Sequence, residues 1–317
     1  MAYTEPLKDK LVTIFGGSGF LGNYVAQSLL SRGARVRIAS RNPEKGWSLK
    51  PLANLGQLQF VRCDITNERS VAAAVQGAHG VVNLVGSFEG NLMKLMGECA
   101  GTMARLAREA GAESFVQVSA IAADPESPAE YSRAKALGEE LAKEGFGKPT
   151  IIRPSIVFGK DDNFLNMFAQ LIQLFPVLPV FGPDAELQLV YVDDVAEAIA
   201  LSVEQPAKHA GRTYELGGPE VLTMMEINRR IAAAQNRKRH FIAMPDAASG
   251  AFAALPGTPM SSDQWTLLKR GNTLSGDMPG FRAFGIEPKP LGLFLDKWMV
   301  RYRKHGRFTG RPGQLAS

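Results

Sequence analysis

Gly16, Gly19 and Gly22 recur at every third position in the run Gly16-Gly17-Ser18-Gly19-Phe20-Leu21-Gly22, between an apolar stretch and a segment with helical spacing. Glycine at the first two positions lets backbone amides approach a negatively charged group at a helix N-terminus, and Gly22 lets the helix pack close to the preceding strand. Much further along stand a serine, a tyrosine and a lysine, Ser119, Tyr131 and Lys135. The last two lie one helical turn apart and therefore on one face. A lysine ammonium in that position lowers a phenol pKa electrostatically and can bind a sugar hydroxyl. The phenol could then relay a proton to a substrate oxygen held by the Ser119 hydroxyl.

A third group of residues lies where the second strand ends, at Ser40-Arg41-Asn42. In dinucleotide sites an acidic residue there accepts a ribose hydroxyl, whereas a guanidinium suits a 2′-phosphate through paired charge-assisted hydrogen bonds. The expected cofactor is therefore NADP(H), with NAD(H) less favoured. Asp64, closing the third strand in Arg62-Cys63-Asp64-Ile65-Thr66, can accept from an adenine amino group or cap the following helix, and the sequence supports both readings.

These residues need a frame. LVTIF reads as a buried strand, residues 21–30 as a helix and RVRIAS as a second strand, followed by a loop containing Pro43, Gly46 and Pro51. LQFVRC, GVVNLVG, SFVQVS and TIIRPSIVF read as further strands, separated by helical patterns at 70–75, 92–110 and 129–144. Six strands alternating with helices predict an α/β fold, a Rossmann-type doubly wound parallel sheet, over residues 1–160. Residues 187–204, with the helical YVDDVAEAIALSVE, should return to it, leaving 161–186 and 205–317 for a smaller C-terminal substrate or partner domain.

Composition limits the classes of function. The chain has 317 residues, 45% hydrophobic, with 36 basic and 31 acidic side chains. A net charge of +5 favours anionic ligands mildly without demanding nucleic acid, and none is expected. Cys63 and Cys99 have neither metal-ligand spacing nor a disulfide framework and read as small buried thiols of a reducing compartment. His209, His240 and His305 read as isolated surface residues, and no metal is assigned. The N-terminus lacks a secretory pattern, and the greasy stretch 164–181 is broken by amides and prolines, so the expected location is cytoplasmic.

GGSGFLG, Asn83-Leu84-Val85-Gly86, Ser119, Tyr131-x-x-x-Lys135, Arg153-Pro154 and Tyr191-Val-Asp-Asp-Val together resemble an extended or atypical short-chain dehydrogenase/reductase, or NAD-dependent epimerase-like protein. The match covers roughly the first two hundred residues. LKPLANLGQLQF, VVNLVG, YSRAKALGEE, TIIRPSIVFGKDDNFLNMFA and MPGFRAFGIEPKPL resemble, within that group, the nucleotide-binding accessory subunit of respiratory complex I and its bacterial relatives. This resemblance implies tightly held NADPH, carried onto Gly16, Gly19, Gly22, Arg41 and Asp64, in a role that is structural rather than catalytic. Phe20, Leu21, Ser40, Ile65, Leu84, Val85, Gly86, Lys135 and Pro154 complete the candidate nucleotide surface. Many extended members carry an asparagine three residues before Gly101-Thr102, where this chain has Glu98. That departure alters the relay behind Lys135 and points away from ordinary turnover.

Residues 163–182 are apolar and aromatic, suited to a quinone-like pocket, to core packing or to a subunit contact. Residues 297–311 carry Lys297, Arg301, Arg303, Lys304, Arg307 and Arg311 without an acid among Trp298, Tyr302 and Phe308. Such a tail could lie on the inner face of an anionic membrane or on complex I subunits, or be a solvated helix face. Three functions stay open: a nucleotide-stabilised accessory protein of complex I, an active NADP(H)-dependent oxidoreductase or epimerase on a carbonyl or alcohol, and an NmrA-like redox sensor.

Overall fold

The computed structural model describes residues 5–255, 258 and 260–304. Its frame is a seven-stranded parallel sheet. The strands β1 (Leu11–Phe15), β2 (Arg35–Ser40), β3 (Leu58–Arg62), β4 (Gly80–Asn83), β5 (Ser114–Val118) and β6 (Thr150–Pro154) are joined by the strand Thr213–Leu216. Their order is β3-β2-β1-β4-β5-β6 and then Thr213–Leu216. The order reverses between β1 and β4, which opens a crevice at the carboxyl ends of those two strands. Helices α1 (Phe20–Leu30), α2 (Glu68–Val75), α3 (Cys99–Glu109) and α4 (Glu130–Phe146) make the crossovers. Covered on both faces, the central strands must be apolar on both, and Val12, Ile14 and Phe15 of β1 are fully buried.

The expected strands and helices of residues 11–40 form almost to the residue; further on, two expectations are corrected and a third is refined. TIIRPSIVF is not one strand: β6 ends at Pro154, which has no N–H for the ladder, and Val157–Phe158 pairs instead with Val190–Tyr191. Residues 43–52 are not an open loop but tight helical turns, Pro43–Leu52, with the proline at the first position fixing φ. The segment 92–110 begins with a π-wound turn, Met93–Glu98, before α3 proper, and such turns concentrate at functional sites.

Residues 205–317, assigned from sequence to the smaller part, also supply the main sheet and its core. Thr213–Leu216 pairs with β6, and Phe281 and Phe284 are buried in the cluster beneath the sheet. Four residues with a central Glu215 give little strand signal by themselves; pairing with β6 makes the strand. A second core gathers Phe158, Leu165, Ile172, Leu187, Ile227 and Leu295. It is built on α5 (Asn163–Leu174) and the helices Met224–Ala234 and Gly292–Met299. Helix α6 (Val192–Glu204), expected from YVDDVAEAIALSVE to return to the sheet, packs along α1 and against β5. Its buried Asp194 accepts hydrogen bonds from the backbone N–H (2.8 Å) and Nζ (2.7 Å) of Lys289, tying the C-terminal segment to the helix.

His209 corrects another expectation. It is buried, hydrogen-bonded through Nδ1 to the Tyr214 hydroxyl at 2.8 Å and stacked on Phe284, and burial pushes its pKa down to about 4. His240 is exposed, while His305, Arg307, Phe308 and Arg311 lie outside the described residues. Cys63 and Cys99 are free and buried, as expected.

Candidate functional site

The glycine run forms the turn from β1 into α1. Gly16 has φ +74°, a left-handed conformation, and a Cβ there would lie 3.3 Å from the Leu84 carbonyl carbon at the end of β4. The two sides of the crevice therefore meet backbone to backbone. Gly19 is the residue before α1, which has neither a side-chain cap nor an acidic residue in its first turn. The amides of Phe20, Leu21 and Gly22 are left without intrahelical acceptors, as in any first turn, and the positive end of the helix faces the crevice. A Cβ on Gly22 would fall 2.6 Å from the Gly17 backbone, so the cradle has no room for a side chain.

Ser18 was not singled out by sequence. Its hydroxyl donates to Ser40 Oγ at 2.9 Å, joining the glycine turn to the end of β2 and to the exposed Arg41. Across the next strand end, Asp64 holds its own turn by accepting from Thr66 N (3.0 Å) and Thr66 Oγ1 (2.8 Å). Those bonds, with a smaller contribution from the Arg41 charge, keep its carboxyl below the usual range. It does not cap α2; Asn67 does, accepting from Ser70 N. Ile65 packs half-buried on the core beside it.

The Ser119, Tyr131 and Lys135 set comes together at the other end of the crevice. Lys135 Nζ donates to Val118 O and to Val85 O, both at 3.1 Å, so the lysine clamps the strand ends that carry Ser119 and Gly86. An ammonium has three protons, and two are used. Ser119 Oγ is buried without a hydrogen-bond partner among the described residues, which leaves it free to bond a ligand or a water. Pro154 O accepts from Ile121 N at 3.2 Å and braces the chain after Ser119.

Burial dominates the electrostatics here. Lys135 is 3% exposed, and desolvation lowers its pKa from 10.5 to about 8 against the opposing pull of Glu139. Desolvation also pushes the Tyr131 phenol up to about 12, so the expected lowering by Lys135 is not what the structure gives. The reason is geometric: Nζ is spent on two backbone carbonyls and lies 5.9 Å from the Tyr131 ring centroid. The low lysine pKa gives the nucleotide-free protein a pH-dependent stability. Because the folded state releases this lysine proton near pH 8 and the unfolded chain near 10.5, stability relative to Lys135→Met should rise as pH climbs from about 8. The slope approaches about 1.4 kcal/mol per pH unit, and urea titrations across that window that run parallel for the two proteins would refute it.

Several neighbours were not legible in the sequence. Asp263, from the helix Ser262–Arg270, accepts from Glu130 N (3.0 Å) and Tyr131 N (2.9 Å), capping α4 from a distant segment. Phe88 stacks on Tyr131, ring centroids 4.6 Å apart and planes 15° from parallel. Arg153 makes a two-pronged bond to buried Glu139, both contacts 2.8 Å, with Glu215 beyond at 3.9 Å. Two of these had a signal: Arg153 stands in the Arg153-Pro154 pair of the family resemblance, and Glu139, four residues after Lys135, shares the helix face of Tyr131 and Lys135. Glu98 is exposed, so it does not replace the relay asparagine of other extended members inside the site.

The site thus comprises a glycine turn with no room for side chains at the start of α1, the polar corner of Ser40, Arg41 and Asp64, and Lys135 between the ends of β4 and β5. The sequence pattern described as the NAD dependent epimerase/dehydratase family matches residues 12–217. The chain belongs to that family. It is 30% identical to NADH dehydrogenase (ubiquinone) 1 alpha subcomplex subunit 9 of Arabidopsis thaliana, over 93% of this chain and 79% of the relative. It is 31% identical to the protein of the same name from Rattus norvegicus, over 93% and 81%. Among solved structures, an NADPH-dependent quinone oxidoreductase of Escherichia coli complexed with NADPH superposes with a TM-score of 0.73. That likeness, at 20% identity over 90% of this chain and 99% of the other, is one of fold. The chain is thus an epimerase-like relative of the complex I accessory subunit, with a site for a nicotinamide dinucleotide. No helix of the described residues is long and apolar enough to cross a membrane.

Proposed function

We propose that this protein is a nucleotide-stabilised accessory component of a respiratory complex I, in which NADP(H) is held for structure rather than turned over. The observation that carries this reading is the extent of the kinship. The family pattern stops at residue 217, whereas the similarity to the accessory subunits extends over 93% of the chain. It therefore takes in the C-terminal segment that caps α4 through Asp263 and grips α6 through Lys289. When bound, the nicotinamide nucleotide supplies a hydride donor or acceptor. Gly16, Gly19 and Gly22 would seat its pyrophosphate, Arg41 a 2′-phosphate, and Lys135 its ribose. The test is to denature purified protein, identify any released nucleotide by mass, and follow exchange of the native protein with labelled NADPH. Slow exchange is expected; an empty or freely exchanging site would overturn the structural role.

The surface supports peripheral docking at an anionic membrane face beside that complex. Arg237 donates to Tyr302 O and Arg303 to Ala234 O, gathering Arg237, Lys238, Arg239, Arg301, Arg303 and Lys304. Nearby, the strands Val177–Val180 and His240–Ala243 pair and leave Val177 and Ile242 exposed beside Leu174 and Phe175. Basic side chains around exposed apolar ones suit a charged lipid surface. Co-sedimentation with phosphatidylserine vesicles that weakens as salt rises is expected, and binding no better than to phosphatidylcholine vesicles would remove this part of the proposal.

The second reading, an active oxidoreductase on a carbonyl or alcohol, is favoured by one observation: Ser119, Tyr131 and Lys135 share the same end of the crevice.

A further inference from the structure

We infer that Phe88 is a plug over the reaction end of the nucleotide site, and that its stacking on Tyr131 denies carbonyl substrates the phenol. This rests on the reading that a nicotinamide nucleotide occupies the crevice, and it supplies a physical reason why such a nucleotide would be kept and not consumed.

Phe88 sits at the tip of the loop that leaves β4 on the nicotinamide side, between Gly86 and Gly90. The tip is braced by its own bonds: Ser87 Oγ donates to Glu89 O at 2.8 Å and accepts from Glu89 N at 3.0 Å. Gly86, at the base, lies beside Lys135, whose Nζ would be 3.8 Å from a Cβ placed there. The loop is therefore anchored where the lysine clamps the strand ends and aims its one large apolar side chain across the site.

That side chain has no core to join. Phe88 remains 51% exposed, and what it covers is one face of Tyr131 in a near-parallel stack of 4.6 Å. The same tyrosine packs against buried Leu92, Met96 and Ala134. The phenol ring, itself partly buried, thus has a small apolar cluster on the protein side and a phenylalanine stacked on one face, which agrees with the upward push that burial gives it. Ser119 Oγ, at the end of β5 that Lys135 clamps, is buried without a partner among the described residues. The ring that carries the phenol thus has an apolar cover on one face.

Reduction would need a substrate oxygen within about 3 Å of the phenol and its carbonyl carbon beside the nicotinamide. Hydride from NADPH would form the new C–H bond, the phenol proton would pass to the oxygen, and NADP+, an alcohol and a phenolate reprotonated from water would result. A ring lying on Tyr131 occupies the volume such a substrate must enter.

The experiment uses full-length protein loaded with NADPH, as wild type, Phe88→Ala, Phe88→Leu and Phe88→Ala/Tyr131→Phe. Acetylation of Tyr131 by N-acetylimidazole, read by peptide mass, reports access to the phenol independently of turnover. Loss of NADPH absorbance with benzaldehyde reports reduction. Phe88→Ala should raise both rates by about tenfold or more, with the second gain abolished in the double variant. Phe88→Leu, which keeps apolar volume without a stack, guards against misfolding and should fall between. Unchanged acetylation of Tyr131 in both single variants would overturn the plug. So would a benzaldehyde gain that survives in the double variant, or slower reduction in Phe88→Ala, which would make Phe88 a platform for substrate. If no variant retains nucleotide, the cofactor reading fails, while the acetylation result still decides the plug.

Discussion

Gly22→Ala is expected to unfold the protein at a markedly lower urea concentration and to abolish nucleotide retention. The added methyl would lie 2.6 Å from the Cα, carbonyl carbon and carbonyl oxygen of Gly17, all backbone, so no side chain can swing aside to admit it. Helix α1 would have to lift from β1, and overpacking of this kind costs about 3 kcal/mol, near the upper end of its usual range. The shift should also misplace the first-turn amides that face the crevice. Gly292→Ala is the matched control: the helix Gly292–Met299 has nothing within 4 Å of a Cβ there, and alanine should stabilise by about 0.5 kcal/mol through helix propensity. Equal unfolding midpoints for Gly22→Ala and wild type would mean that the close approach of helix and strand does not control this site.

Arg41→Asp should weaken NADPH binding by about 100-fold, close to 2.7 kcal/mol, while NADH changes by no more than a few-fold. Arg41 is exposed at the end of β2, next to the Ser18–Ser40 hydrogen bond that joins this corner to the glycine turn. A 2′-phosphate there would gain a guanidinium partner and, in the variant, meet a carboxylate of like charge. The same carboxylate can accept from the free 2′-hydroxyl of NADH, so the variant separates the two nucleotides in opposite directions. Titrations showing equal losses for both would place the phosphate elsewhere and leave Arg41 a solvated loop residue.

Gly22 and Arg41 belong to neighbouring parts of the crevice wall, one limiting space and one carrying charge, and both are visible in the sequence as residue types. The reaction end was not so transparent. Tyr131 and Lys135 are paired by helical spacing, yet their electrostatics depend on what surrounds them. Lys135 is committed to Val85 and Val118 carbonyls, residues 50 and 17 positions away, and burial moves its pKa and that of Tyr131 in opposite directions. A phenol poised by its lysine is a reasonable expectation from the motif. A phenol held neutral beneath Phe88 is what the packing makes of it.

The strands and helices of residues 11–40, the glycine turn without room for side chains, the cationic corner at Arg41 and the pairing of Tyr131 with Lys135 were all legible in the sequence. Each is a local requirement: alternating or helical periodicity, a backbone that tolerates no Cβ, a charge at a strand end. Such requirements are met by residues within a few positions of one another, so they can be read in line. Tertiary structure alone decided that Thr213–Leu216 would complete the sheet, that Pro154 would divide the run after it, that His209 would be buried, and that Asp263 would cap a helix beginning 133 residues earlier. Each of those depends on one surface finding another across the chain, and a short polar segment gains strand or cap character only when a partner satisfies its backbone bonds and excludes water from them.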